Sequence, residues 1–272
     1  MDYRELKGWQ KLPSLKMLLD LSTPPKQLYF SGIWHPEIFE SCVAVVGSRK
    51  ITDYGTRVVE KVVRSFISCG QTVISGFMYG VDQYAHRVCV ESGGKTIAVL
   101  GWGIDTKLTG VDLKLAEKII SSGGLIISEW ETQKAAHWTF PARNRIVAAL
   151  CKEVIVVEAA ENSGSLITAR LALKLKRALW AVPGPITSRT SVGTNNLIGS
   201  GLAKMWLGGS PNTIIQSDNP LLQILDNEAL SASEMARKLD LPVSEIGSQL
   251  SLLLLSGHLI EKGGKYYLSD AS

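Results

Sequence analysis

Glycines, small hydroxyl residues and arginines recur in short clusters along this chain, each just after an apolar, β-branched run. Gly47-Ser48-Arg49 comes first, then Ser75-Gly76 with Gly80, then Gly101-Trp102-Gly103. Further on stand Ser128-Glu129 with Lys134, His137, Trp138 and Phe140, then Arg143-Asn144-Arg145. Ser163-Gly164-Ser165 with Thr168 follows, and Pro183-Gly184 is last. These residue types suit anion binding. A glycine lets a phosphate approach the backbone, a helix start presents free N–H groups, and an arginine adds a fixed bidentate charge. One such turn is weak evidence, because strand-to-helix turns also use glycine for tight geometry. Several along one sheet edge, with three arginines among them, predict an extended groove for a polyanion. The aromatics beside the basic residues suit stacked bases.

Each candidate also has a structural role in competition. Arg49 suits a carbonyl cap or an ion pair with Glu129. Arg143 and Arg145 lie two apart and diverge on a helix, which allows one to face the groove and the other a salt bridge. Asn144 suits a buried backbone group, Trp138 and Phe140 suit the core, and Ser165 and Thr168 suit an ordinary helix start. Lys107 and Lys134 are solvated unless the groove runs past them.

Catalysis has thinner support. Asp82 and His86 lie four apart and share a helix face, but no G-x-S-x-G elbow accompanies them, so a structural Asp–His hydrogen bond is expected. Glu129, Glu131 and Glu158 have no convincing partner. A Walker lysine motif and a full G-x-G-x-x-G fingerprint are both missing. The four histidines show no metal-ligand spacing, and Cys42, Cys69, Cys89 and Cys151 form no C-x-x-C pair. They read as buried free thiols of a reducing cytosol. The expectation is a cytoplasmic binding protein without enzyme activity, cofactor or metal.

The elements that must position these clusters are legible as a rhythm. Apolar runs at 43–46, 72–75, 96–100, 125–128, 154–158 and 179–182 alternate with amphipathic stretches at 56–68, 81–92, 113–121, 142–150 and 166–175. That alternation predicts an α/β domain, a Rossmann-like parallel sheet covered on both faces, over 41–207. Ligands of such sheets bind at the carboxyl ends of the strands, where the clusters lie. Residues 1–40 read as a lead-in with a short strand at 27–30. No charged-then-apolar signal segment opens the chain, and no apolar run reaches the ~20 residues of a membrane helix.

Around 208–220 the composition turns to Gly, Ser, Asn and Pro, a linker signature. Beyond it, 220–272 reads as a small winged-helix-like domain. It has helices at 221–225, 232–239 and 243–255, a capping box at Ser231-x-x-Glu234, and a hairpin turning at Gly263-Gly264. The net charge of +4 is uneven: residues 220–272 carry −3 and the rest +7. A basic body with an acidic tail points to an anionic partner for the body. The last helix, at 243–255, contains Glu245 and no Lys or Arg, so a protein-interaction or stabilising role fits it better than duplex reading.

Taken together the motifs resemble the DprA (Smf) DNA-processing family. Those that carry the likeness are Val45-Val46-Gly47-Ser48-Arg49, Ser75-Gly76-x-x-x-Gly80-Val81-Asp82-x-x-Ala85-His86 and Thr96-Ile97-Ala98-Val99-Leu100-Gly101-x-Gly103-x-Asp105. Phe140-Pro141-x-Arg143-Asn144-Arg145-Ile146, Ser163-Gly164-Ser165-Leu166-Ile167-Thr168-Ala169 and Gly193-Thr194-Asn195-x-Leu197-Ile198 complete them. The resemblance implies a homodimer that binds and protects incoming single-stranded DNA. It also implies that the protein helps load the RecA recombinase during natural transformation, with Arg49 as the best-known DNA contact. The family's usual Tyr-Pro-x-x-Asn segment is replaced by Thr106-Lys107-Leu108-Thr109-Gly110, where Lys107 is the candidate substitute. Phe77-Met78-Tyr79 is bulkier than the small residues usual there. The alternative is a nucleotide-binding enzyme of nucleotide hydrolase type, whose Pro-Gly-Gly-x-Gly-Thr motif survives only as Pro183-Gly184.

Overall fold

The computed structural model describes residues 2–208, 220–225, 228–255 and 259–268. The chain divides into two compact units, Met1–Gly208 and Gly209–Ser272. The linker expected at 208–220 lies, apart from its two ends, outside the described residues.

In the first unit the β-branched runs form strands β3 (Cys42–Val46), β4 (Thr72–Ser75), β5 (Thr96–Val99), β6 (Leu125–Ser128), β7 (Glu153–Val156) and β8 (Ala178–Ala181). Short strands β1 (Arg4–Glu5), β2 (Tyr29–Ser31) and β9 (Lys204–Met205) complete a sheet ordered β1-β2-β6-β5-β4-β3-β7-β8-β9. From β6 to β9 all neighbours are parallel, whereas β2 runs antiparallel to β6 and β1 to β2. Val43 and Val45 point to one face, with Ala44 and Val46 on the other, and all four are buried. That is why the central strands read as continuous apolar runs rather than alternating ones.

Helices α1 (Asp53–Ser68), α2 (Val81–Glu91) and α3 (Gly110–Ser121) cover one face. α4 (Thr139–Ala149), α5 (Ser165–Lys174) and α6 (Val192–Gly199) cover the other. Residues 1–40 do not stand apart as a lead-in. Trp9, Leu15, Leu18, Ile38 and Phe39 join the same core cluster as Ala44 and Ile74, and the short strand expected at 27–30 forms as β2 on the sheet. The cysteine expectation holds for Cys42, Cys89 and Cys151, which are buried, but Cys69 is exposed. It caps the end of α1, where the chain turns out into solvent at Gly70.

The strand order carries the functional geometry. From β3 the chain steps outward through β4, β5 and β6, then returns to place β7, β8 and β9 on the opposite side of β3. The direction of winding therefore reverses between β3 and β7. At such a switch point the loops leaving adjacent strand ends turn to opposite faces and leave a crevice beyond the carboxyl edge.

The second unit comprises α7 (Pro220–Leu225), α8 (Ala232–Leu239), α9 (Val243–Leu255) and the antiparallel hairpin β10 (Leu259–Lys262) with β11 (Lys265–Leu268). Leu221, Leu225, Met235, Ile246, Leu250 and Leu259 form its core. The Ser231–Glu234 capping box is made in both directions. Gly263 and Gly264 both take positive φ, 64° and 76°, as a two-residue turn between paired strands requires.

Candidate nucleic-acid interface

A cavity of about 810 Å³ opens at the switch point. Its walls come from the segments after β3 (Gly47 to Lys50), β4 (Gly76 to Tyr79), β7 (Ala160 to Gly164) and β8 (Arg189, Thr190), together with α4 and the start of α5. Four strand-end segments thus converge on one hollow, where the sequence had suggested an extended groove along the edge.

The Gly47-Ser48-Arg49 turn is held from two sides. A Cβ on Gly47 would meet Val81 Cγ2 at 2.7 Å and Glu158 O at 3.1 Å, so only glycine fits between the start of α2 and the end of β7. The Val81 N–H donates to Ser48 O at 3.1 Å, and the Ser48 hydroxyl donates to Lys50 O at 2.9 Å. Arg49 is exposed, and its guanidinium lies 5.1 Å from the centre of the Phe140 ring. The competing pairing of Arg49 with Glu129 is not made, because Arg145 takes that carboxylate. Arg49 therefore faces the cavity without a carboxylate within ion-pair distance among the described residues.

Arg143 forms part of the floor. It is 2% exposed, donates through Nη1 to Val99 O and through Nε to Asn144 Oδ1 at 3.2 Å, and lies 4.0 Å from Asp82. Burial pushes the Asp82 carboxyl up and the Arg143 guanidinium opposes that shift. Asn144 donates to Gly164 O at 3.3 Å, tying α4 to the start of α5. There the hydroxyls of Ser163 and Ser165 lie 2.8 Å apart, with Thr168 one turn on. At the start of helix α5 the first N–H groups turn back on the preceding residues: Ser165 N donates to the Ser163 hydroxyl at 3.4 Å, Leu166 N to Ser163 O at 3.1 Å and Ile167 N to Gly164 O at 3.1 Å, so this wall offers the Ser163, Ser165 and Thr168 hydroxyls.

Of the residues in the clusters singled out in the sequence, twelve line the cavity: Gly47, Ser48, Arg49, Gly76, His137, Phe140, Arg143, Asn144, Ser163, Gly164, Ser165 and Thr168. Other candidates do not. Ser75 is buried and donates to Val45 O at 2.6 Å, fixing β4 against β3. Gly80 acts behind the wall, at φ 84°, where the chain passes Ser48 and Arg49 too closely for a side chain. Arg145 points away along α4 to Glu129, as its two-residue offset from Arg143 requires. Lys107 and Lys134 are exposed on loops that do not reach the lining.

The expected Asp82–His86 hydrogen bond is also absent. His86 lies deeper along α2, with Nδ1 2.7 Å from Thr96 Oγ1 and Nε2 2.5 Å from Gly76 O, while Asp82 turns to Arg143. Burial lowers the His86 imidazole to about 4, so it is neutral near pH 7.

Lys50, Tyr79, Asn162 and Arg189 line the cavity without having been singled out as contacts. Lys50 and Asn162 were legible as neighbours of the glycine turns. Arg189 was not, because it lies well past Pro183-Gly184, and only the strand order brings that segment beside β3.

A doubly wound sheet with a basic, glycine-walled cavity at its switch point defines a Rossmann-like α/β protein whose candidate site lies where such folds bind their ligands. The family model for DNA recombination-mediator protein A matches residues 9–217, and the chain belongs to that family. It is 33% identical to protein Smf of Escherichia coli over 92% of this chain and 73% of that one. It is 37% identical to the DNA processing protein DprA of Streptococcus pneumoniae over 75% of this chain and 74% of that one. The chain spans only 51% of the Synechocystis Smf relative, at 36% identity over 77% of its own length. The solved S. pneumoniae DprA structure superposes with a TM-score of 0.68 at 34% identity, covering 77% of this chain and 72% of that one. DNA processing protein A of Helicobacter pylori, whose structure is described for its single-stranded DNA binding mode, gives 0.66 at 28% identity over 84% and 98%.

Proposed function

We propose that this chain binds single-stranded DNA across the switch-point cavity and does no bond chemistry there. The observation that carries the reading is Arg49, exposed and without a carboxylate partner on a turn fixed from behind, facing a cavity that gathers four strand ends. Arg49 and the backbone N–H groups of that turn take a phosphate, and the Ser165 and Thr168 hydroxyls at the α5 start face the neighbouring backbone. Tyr79 and Phe140 offer faces for bases. Two buried or half-buried carboxylates by the hollow are engaged: Asp82 faces Arg143, and Glu158 accepts from Thr52 and Thr190, while Glu161 lines the wall exposed to solvent. Neither Asp82 nor Glu158 is free to act as a general base.

The H. pylori relative's single-stranded DNA binding supports the ligand assignment. Recombination mediation by the family supports a downstream role in loading RecA, with the protein acting as a homodimer in the cytosol. The acidic second unit, without Lys or Arg on α9, fits a protein contact better than a duplex groove. Among the described residues, no helix is long and apolar enough to cross a membrane.

Thermal unfolding with two ligands tests the reading. A long oligothymidylate is expected to raise the melting temperature, whereas thymidine monophosphate at micromolar concentration is not. Stabilisation by the mononucleotide alone would favour a nucleotide-directed enzyme instead.

A further inference from the structure

Arg189 lines the same cavity as Arg49 but comes from a different strand end, the short 3-10 turn Arg189–Ser191 beyond β8. Arg189 is exposed, while the segment that carries it is tightly pinned and Ser191 is buried. The Ala159 N–H donates to Thr190 O and the Gly193 N–H to Ala159 O, both at 2.7 Å. Upstream, the Asn195 side chain accepts from Gly184 N at 3.1 Å and donates to Gly184 O at 3.0 Å. The Tyr54 hydroxyl closes on Pro183 O at 2.6 Å.

Glu158 joins this segment to the other wall. It is 2% exposed, and its carboxylate accepts from the Thr190 hydroxyl at 3.3 Å. The same carboxylate accepts from the Thr52 N–H at 3.1 Å and the Thr52 hydroxyl at 2.5 Å. Thr52 caps α1, three residues after Arg49. One buried carboxylate is therefore a common anchor for the segment carrying Arg49 and Lys50 and for the segment carrying Arg189. Arg189, like Arg49, makes no ion pair among the described residues. A hollow of about 810 Å³ lies toward the upper end of ligand-pocket volumes and exceeds what one phosphate needs.

We propose that Arg189 is a second phosphate station of this cavity, separate from the Gly47-Ser48-Arg49 station, and that Glu158 is the positioning residue that fixes the spacing between the two. The proposal rests on the single-stranded DNA reading. A phosphodiester at the first station is held by the turn's N–H groups and Arg49; a further phosphate of the same strand reaches Arg189. Occupying both stations selects a strand over a mononucleotide, because the second contact needs a covalently linked phosphate.

The test measures binding of a series of oligothymidylates, from a dinucleotide with one phosphate upward, to the full chain and to its Arg49→Ala, Arg189→Ala and Thr190→Val variants. Arg49→Ala is expected to weaken binding at every length. Arg189→Ala is expected to leave the dinucleotide unchanged and to weaken longer strands about tenfold or more, with the salt slope shallower by about 0.7. Thr190→Val keeps Glu158 on Thr52 and the backbone bonds of the Arg189 segment, removes only the hydroxyl link between them, and is expected to reproduce part of the Arg189→Ala loss on long strands only.

If Arg189→Ala leaves long strands unchanged, the second station is refuted. If it weakens the dinucleotide as much as Arg49→Ala does, the two arginines share one station and the proposal fails. A Thr190→Val variant equal to wild type removes the positioning role of Glu158. Absence of binding by the wild type at all lengths would overturn the single-stranded DNA reading itself, a result distinct from these.

Discussion

Gly80→Ala is the substitution that most sharply separates a structural glycine from a merely convenient one. Gly80 sits at φ 84°, ψ −134°, a region that residues with a Cβ avoid, at a cost of about 1–3 kcal/mol. A Cβ there would also meet the carbonyl oxygen of Ser48, and the carbonyl carbon and oxygen of Arg49 at 2.6 Å. Relieving that overlap requires the Gly47-Ser48-Arg49 turn to shift, which adds roughly 1–3 kcal/mol. A total near 4 kcal/mol lowers the melting temperature by about 8–16 °C in a unit of this size.

Gly93→Ala isolates the backbone contribution. Its φ is 74°, and a Cβ there meets nothing within 4 Å. It should cost only about 1–2 kcal/mol, a few degrees on the same scale. Differential scanning calorimetry of both variants, with oligonucleotide binding measured below either transition, reads the comparison. Gly80→Ala should also lose about tenfold or more in affinity, because the displaced turn carries the charge-assisted contact, worth about 1.5–3 kcal/mol. Equal melting temperatures for the two variants would refute the claim that Gly80 braces the Arg49 turn.

Three further outcomes follow from the same geometry. Arg143→Met leaves Asp82 partly buried without its cation and Val99 O without its donor, and is expected to cost about 3–5 kcal/mol in urea denaturation; adding Asp82→Asn should recover part of that loss. His86 is neutral when folded because burial lowers it from 6.5 to about 4, so between those pH values only the unfolded chain takes up the proton. Stability therefore falls as pH drops through that window, by about 3 kcal/mol in all, and denaturation midpoints of His86→Gln should show a correspondingly flatter pH dependence. Tyr79, 64% exposed on the cavity wall, should lose about 1–3 kcal/mol of binding on Tyr79→Ala, and an abasic strand should bind that variant and the wild type equally.

Much of this architecture was legible in the sequence because its signals are local. The bounds of β4 and β6, the Ser231–Glu234 capping box and the Gly263-Gly264 turn depend on neighbours within a few residues, and they form where the residue pattern places them. Long-range pairing was less visible. Nothing in the 179–182 run says that β8 lies two strands from β3, so the contribution of Arg189 to the cavity wall was hidden. Arg143 and Arg145 were read correctly as diverging, but which one turned inward depended on the carboxyls opposite them, Asp82 on α2 and Glu129 beyond β6. The Asp82–His86 pairing failed for the same reason: a shared helix face says nothing of the Gly76 carbonyl and Thr96 hydroxyl that occupy His86 instead.

The most direct measurement is fluorescence anisotropy of a labelled single-stranded oligonucleotide at several salt concentrations, against wild type and Arg49→Ala, with a duplex of the same sequence as control. Preference for the single strand is expected, with at least tenfold weaker binding on substitution and a salt slope shallower by about 0.7. A variant that binds like wild type with the same slope would contradict the assignment of the switch-point cavity as the DNA site.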